Sequence, residues 1–216
     1  MRPPRAICFD FDGVILESLD IKARAFRELF SEHPRHADAI VDYHNANAGM
    51  PRYDKFRYFY EELLRRPMPA GEMERLDARF SALVFKAVLD CPWVPGALEF
   101  LRSYRQALPL YVVSATPEPE LRRIIEGRGL GGYFRAVYGS PKDKKQNLAA
   151  LLAGHRLEPS AAVSIGDGSA DYEAAQAAGV PFIARVTPGK RPYWESRGVA
   201  MIEDLRPLAE TLGLKP

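Results

Sequence analysis

The chain carries two cysteines in 216 residues and no Cys-x-x-Cys pair. Cys8 lies inside an apolar run and Cys91 precedes Pro92, a usage that excludes a disulfide framework or a dithiol redox motif and predicts two reduced thiols. Histidine is nearly as scarce. His33 and His36 are split by Pro34, and His44 and His155 stand alone, so all four read as surface residues and not as zinc ligands. Charge of one sign is not in excess: 30 basic against 28 acidic side chains leave a formal +2, so bulk electrostatics give no nucleic-acid partner. Long hydrophobic runs are missing as well. The first apolar stretch, 6–9, reaches Asp10 after four residues, too short for a signal peptide or a membrane span, and predicts a cytoplasmic protein without a membrane partner. Internal repeats and low-complexity tracts are also absent.

Apolar residues make up 47% of the chain, enough for one ample core, or for one core with a smaller unit inserted. Two textures divide it. From about 21 to 90 the apolar residues recur at helical spacing, as in Phe26, Leu29, Phe30 and again in Leu76, Phe80, Leu83, Val84, Ala87. From Pro95 onward helices and short β-rich runs alternate, with strands expected at 110–113, 136–138, 161–165 and 181–184 and helices at 121–125, 148–152 and 170–178. This predicts an α/β fold, a doubly wound parallel sheet of Rossmann-like kind covered on both faces. The strand at 6–9 belongs to that sheet, so 18–93 is an all-α insertion and 1–17 with 94–216 form the core domain. Gly127-Arg128-Gly129-Leu130-Gly131-Gly132 follows a helix, which makes it a helix end and turn, not a dinucleotide loop.

The chemistry gathers where strands end, the edge at which open α/β sheets bind ligands. In Phe9-Asp10-Phe11-Asp12-Gly13-Val14 the apolar run stops at two carboxylates that alternation sends the same way. Like charges a few Å apart repel by about 4 kcal/mol at an effective dielectric of 20, so the pair calls for a cation, a shared proton or both. After the next strand come Ser114, Ala115 and Thr116, a hydroxyl and backbone N–H groups that either hold a phosphate oxygen or cap the following helix. Lys142, Lys144 and Lys145 open a later helix; Lys144 is preferred because Leu148 and Leu152 then share its face. Asp167 and Asp171 flank a turn after an apolar strand, the oxygen set of a hard cation or of a helix cap. Arg52, Lys55 and Arg57 add more cations to the helical insertion than a solvated face needs. Arg52 or Lys55 could therefore meet an anionic substrate.

Taken in order, Asp10-x-Asp12-Gly13-Val14, Ser114, Lys144 and Gly166-Asp167-x-x-x-Asp171 resemble the haloacid dehalogenase-like superfamily of phosphohydrolases across the whole chain. The resemblance is to members with a helical cap after the first motif, similar to phosphoglycolate phosphatases and β-phosphoglucomutases. It implies Asp10 as nucleophile forming an aspartyl-phosphate and Asp12 as general acid and base. Mg2+ would be held by Asp10, the backbone carbonyl of Asp12 and Asp167, with Asp171 completing the metal site by supporting a water or orienting its neighbours, and the phosphoryl group by Ser114, Ala115 and Lys144. The function so implied is a phosphatase acting on a small phosphorylated metabolite, as a monomer or weak homodimer. The alternatives are a phosphomutase and a non-catalytic binding protein that keeps the fold. Gly168, after Asp167, leaves that position without a carboxylate, so the metal set in this motif rests on Asp167 and Asp171.

Overall fold

A computed structural model describes residues 3–47, 49–187 and 189–215; the outermost positions of the expected 1–17 and 94–216 segments lie outside the described residues. The strands are β1 (Ala6–Phe9), β2 (Leu110–Pro117), β3 (Ala136–Ser140), β4 (Ala162–Gly166), β5 (Phe182–Arg185) and β6 (Ala200–Ile202). They form one all-parallel sheet in the order β3-β2-β1-β4-β5-β6, with β1 near the middle and the strand order reversing beside it. Between β1 and β2 the chain makes α1 (Leu19–Leu29), α2 (Ala37–Ala46), α3 (Arg52–Tyr58) and α4 (Glu72–Asp90). After them come α5 (Ala97–Tyr104), α6 (Glu118–Gly127), α7 (Lys144–His155), α8 (Ser169–Ala178), α9 (Arg191–Glu195) and α10 (Leu208–Thr211).

Alternation along the strands decides which helices cover which face. Ile7 and Phe9 of β1 and Val112 of β2 pack with Phe100 of α5 and Ile124 of α6. Ala6, Cys8 and Tyr111 face the other way, onto Leu148 and Leu151 of α7, Ala175 of α8 and Trp194 of α9. With both faces buried, β1 and the first half of β2, Leu110 to Val113, run apolar without interruption. The first face continues into the helical unit, whose own centre is aromatic: the ring of Phe26 lies 4.4 Å from Phe80 and 5.7 Å from Phe59.

The two crossings between the parts pair with each other. Val94 N–H donates to the Ile15 carbonyl (3.1 Å) and Glu17 N–H to that of Pro92 (3.0 Å), so a narrow two-chain neck carries the helical unit. Three expectations need correction. β2 does not stop at Val113 but runs to Pro117 through a register shift, because Pro117 pairs with Ser140 after the interruption. The edge strand β6 was not foreseen; with one buried residue in three it has no periodicity to read. Nor were α2, α9 and α10, whose buried sides are too few to form a stripe. Among the described residues no helix is long and apolar enough to cross a membrane.

Candidate active site

The carboxyl ends of β1, β2 and β4 meet at one cavity of about 50 Å³. Asp10 follows β1 directly, its N–H donating to the Ile165 carbonyl of β4 at 2.9 Å. Three residues on, Gly13 turns the chain with φ +75; a Cβ there would lie 2.8 Å from Asp167 Oδ2, so only glycine lets the turn pass that carboxylate. The turn is held from β5, where Arg185 donates to the Gly13 carbonyl (3.2 Å) and pairs with Glu17.

Lys144 is the organising cation. Asp143 caps α7 by accepting from Gln146 N–H at 2.7 Å, which places Lys144 on the first turn. Its Nζ lies 2.7 Å from Asp10 Oδ2 and 2.6 Å from Asp171 Oδ1, with all three side chains buried. Lys145 instead pairs with Glu173 at the surface, and Lys142 is exposed. Asp171 reaches back from α8 to accept from Gly168 N–H at 3.2 Å, so close to the strand end that a Cβ on Gly166 would fall 2.2 Å from Asp171 Cβ.

Asp10, Asp167 and Asp171 each offer an oxygen within 4.8 Å of the others. Burial, then the charge of Asp171, pushes the Asp10 carboxyl well above the usual carboxylate range, and Asp167 is raised for the same reasons. One ammonium cannot neutralise three carboxylates. An all-oxygen, acid-rich set with this deficit fits a hard divalent cation. Asp12 stands apart from the trio. Burial pushes its carboxyl up too, but the Lys22 ammonium and hydrogen bonds from Lys22, Ser18 and Thr116 overcome this and hold it below the ordinary value. Ser18 Oγ donates to Asp12 Oδ1 at 2.6 Å and Thr116 Oγ1 to Oδ2 at 2.8 Å, while Lys22 Nζ touches both Asp12 and Thr116.

Ser114 and Ala115 also line the cavity. Ser114 does not cap α6, which starts from Pro117; its Oγ accepts from Thr116 N–H at 3.2 Å within the strand end. Over them the helical unit is shut down. Gly49 comes so near that a Cβ would lie 3.2 Å from Lys144 Nζ.

Arg52 and Lys55 both line the cavity but in different states. Arg52 is taken up by protein: Nη2 donates to Glu120 Oε2 of α6 (2.8 Å) and Ser81 Oγ (2.9 Å), and Nε makes an ion-pair contact with Asp77 (2.6 Å) too bent to be a hydrogen bond. Lys55, only 3% exposed, has His44 Nδ1 at 2.9 Å and, among the described residues, no carboxylate in ion-pair contact. His44 is thus not a surface residue as its isolation in the sequence suggested; it is 6% exposed and tilted against the Phe26 ring. Lys22, His44 and Glu120 escaped the sequence reading. Lys22 had a usable signal, since it stands one turn after Ser18 on a helix that begins just past the paired acids; His44 and Glu120 depend on folded contacts alone.

The sequence pattern of the family described as haloacid dehalogenase-like hydrolase matches residues 7–185. A phosphoglycolate phosphatase of Rhodospirillum rubrum is similar at 28% identity, covering 97% of this chain and 91% of its own. Among solved structures, CbbY from Rhodobacter sphaeroides in complex with phosphate superposes with a TM-score of 0.75 at 20% identity, covering 98% of this chain and 100% of its own. The HAD-hydrolase YfnB from Bacillus subtilis, bound to magnesium, gives 0.70 at 18% identity over 99% and 100% of the two chains. At these identities the structural likenesses speak for the fold alone.

Proposed function

The chain belongs to the haloacid dehalogenase-like hydrolases and is a phosphoric monoester hydrolase, and from that premise we propose a Mg2+-dependent phosphatase that works through an aspartyl-phosphate on Asp10. The observation that carries this reading is the convergence of Asp10, Asp12, Ser114, Lys144 and Asp167 on one cavity at the carboxyl edge of the sheet. The donor set fits the metal named above: Asp10, Asp167 and Asp171 with the backbone carbonyl of Asp12 would hold it, and the B. subtilis neighbour binds magnesium. When bound, the cation supplies charge neutralisation for the approach of a phosphate dianion to three acids.

The remaining work falls to the chain. Phe11 N–H donates to Asp10 Oδ1 at 2.7 Å and Lys144 to Oδ2, which fixes the attacking carboxylate instead of leaving it to rotate. Lys144, the Ser114 hydroxyl and the Ala115 N–H hold the phosphoryl oxygens as charge shifts toward the leaving oxygen. Asp12 transfers the proton, to the leaving oxygen in the first half-reaction and from water in the second. Its contacts with Lys22 and Thr116 keep it ionised, the state that takes a proton from water in the second half-reaction; for the first, the proton comes from the substrate's phosphate monoanion or from solvent. Residues 18–93 act as a cap that shuts bulk water out of the cavity. The substrate is a small phosphorylated metabolite of the phosphoglycolate kind, in keeping with the R. rubrum relative and with a cavity far below the roughly 300–1,000 Å³ of drug-sized ligand sites.

Phosphate release from p-nitrophenyl phosphate tests this reading: turnover requires Mg2+, stops on chelation and is absent in Asp10→Asn. Full activity after exhaustive chelation contradicts the metal assignment.

A further inference from the structure

Arg185 ends β5 and is buried, yet it does not line the cavity. Its guanidinium is spread over three pieces of chain: Nε donates to the Glu203 carbonyl (3.0 Å), Nη1 to the Gly13 carbonyl (3.2 Å) and to Glu17 Oε2 (3.2 Å), and Nη2 to Glu17 Oε1. A planar fork held at four points cannot turn. What it holds is the segment between the paired acids and the helical unit. Gly13 lies against Asp167, where a Cβ would fall 2.8 Å from Oδ2, and Glu17 N–H donates to the Pro92 carbonyl in the neck. Glu17 is the one carboxylate in ion-pair contact with Arg185 among the described residues; Asp204, which feels the same guanidinium, is taken up by Arg206. Burial, then the charge of Asp171, raises the Asp167 carboxyl to about 7, while Lys144 and Arg185 pull it the other way. A fixed cation that favours an ionised carboxylate also repels a divalent ion bound to that carboxylate.

Resting on the phosphatase reading above and its divalent cation, we propose that Arg185 and Glu17 form a charge-balanced brace: it positions the Gly13 turn against Asp167 and sets how tightly Asp10, Asp167 and Asp171 bind the cation, Arg185 weakening the binding and Glu17 restoring it. Both are positioning residues. Glu17 keeps 35% of its side chain exposed, so solvent compensates it in part and the pair matters more for where it puts charge than for stability. The consequence is one of sign. A strut that only holds the chain loosens the same turn whichever end is cut, and cation affinity then moves the same way in both cases. A charge balance cut at its two ends moves affinity in opposite directions. Without the guanidinium, Glu17 is left to attract the cation; without the carboxylate, Arg185 is left to repel it. Neutralising both brings the field at the acids back toward its starting value.

Calorimetric titration of the full chain with Mg2+ alone reads this without turnover, at low ionic strength and about pH 8.5, where protons compete little for the acids. Arg185→Gln should bind Mg2+ about threefold or more tightly than the wild type and Glu17→Gln about threefold or more weakly, the scale of one charge acting through partly solvated protein. Both differences should shrink as KCl is added. The double variant Arg185→Gln/Glu17→Gln should return to within about twofold of the wild type. Arg185→Lys keeps the charge and loses the fork; it should bind Mg2+ as the wild type does, and it carries the test with Glu17→Gln should Arg185→Gln fold poorly. Shifts of the same sign in Arg185→Gln and Glu17→Gln, no shift in either, a loss of affinity in Arg185→Lys, or no Mg2+ binding by the wild type overturns the proposal. Affinities that follow the expected order in a chain that releases no phosphate from p-nitrophenyl phosphate leave the brace standing and remove the phosphatase reading.

Discussion

Lys55 loses affinity for its proton in the folded chain: burial first, then the charges of Lys22 and Lys144, bring it down to about 7, with Asp12 and Asp167 pulling the other way. Between about 7 and the ordinary lysine value the unfolded chain binds a proton that the folded chain does not, so this group's cost to stability is full below 7 and fades as pH rises. Lys55→Met should therefore melt a few degrees above the wild type at pH 6.5, and the gap should close toward pH 10, as scanning calorimetry would show. A lower melting point at pH 6.5 would mean that Lys55 is compensated within the protein. Sequence could reach only part of this. The acids of the two aspartate motifs and Lys144 were legible because each ends a strand or opens a helix, and such positions follow from local pattern. Lys55 was noticed as surplus charge, but Arg52 looked equivalent to it, since nothing local tells a committed guanidinium from a free ammonium. His44 read as surface because its burial comes from Phe26 and Lys55 on two other helices.

Between elements, the most consequential contact is the one that Arg52 of α3 makes across to Glu120 of α6, with Asp77 and Ser81 of α4 alongside. It ties the helical unit to the sheet domain in addition to the two-chain neck, and it is almost dry, at 7% and 8% side-chain exposure. Removing one partner of a buried pair strands the other charge, whereas replacing both with apolar groups of similar size is far milder. Glu120→Met should thus lower the melting temperature by several degrees, and adding Arg52→Met should recover most of the loss. A double variant worse than the single would show that the two residues do not act as a pair. The strut also explains how the fold could be read when this contact could not. Helical periodicity in 21–90 and the β/α alternation after it are written in residues three and four, or two, apart, and they specify an inserted bundle and a parallel sheet. The register shift in β2 and the edge strand β6 are set by neighbours far along the chain, Ser140 for the one and Arg185 for the other.

At the scale of the whole molecule, three buried carboxylates lie together and one lysine pairs with two of them, a balance that leaves negative charge for a cation to neutralise. Magnesium at millimolar concentration should raise the melting temperature by an amount that grows with its logarithm, and Asp167→Asn should abolish the shift. An equal shift in that variant would place the cation elsewhere. The sheet edge, the cap and the acids serve one claim, that Asp10 attacks phosphorus and carries the phosphoryl group between two half-reactions. Asp10 and Asp12 come from one short segment, yet their environments separate them: Asp10 is fixed by Phe11 N–H and Lys144, Asp12 by Ser18, Lys22 and Thr116. Asp12→Asn keeps the backbone carbonyl and loses only proton transfer, a contribution of about 10²- to 10⁴-fold, so an ester with a good leaving group should still phosphorylate Asp10 and then stall. The direct measurement is rapid-quench mass spectrometry of Asp12→Asn with p-nitrophenyl phosphate and Mg2+. The account predicts a phosphate adduct on the peptide containing Asp10, absent in Asp10→Asn; an adduct that forms in Asp10→Asn, or that maps to another residue, contradicts it.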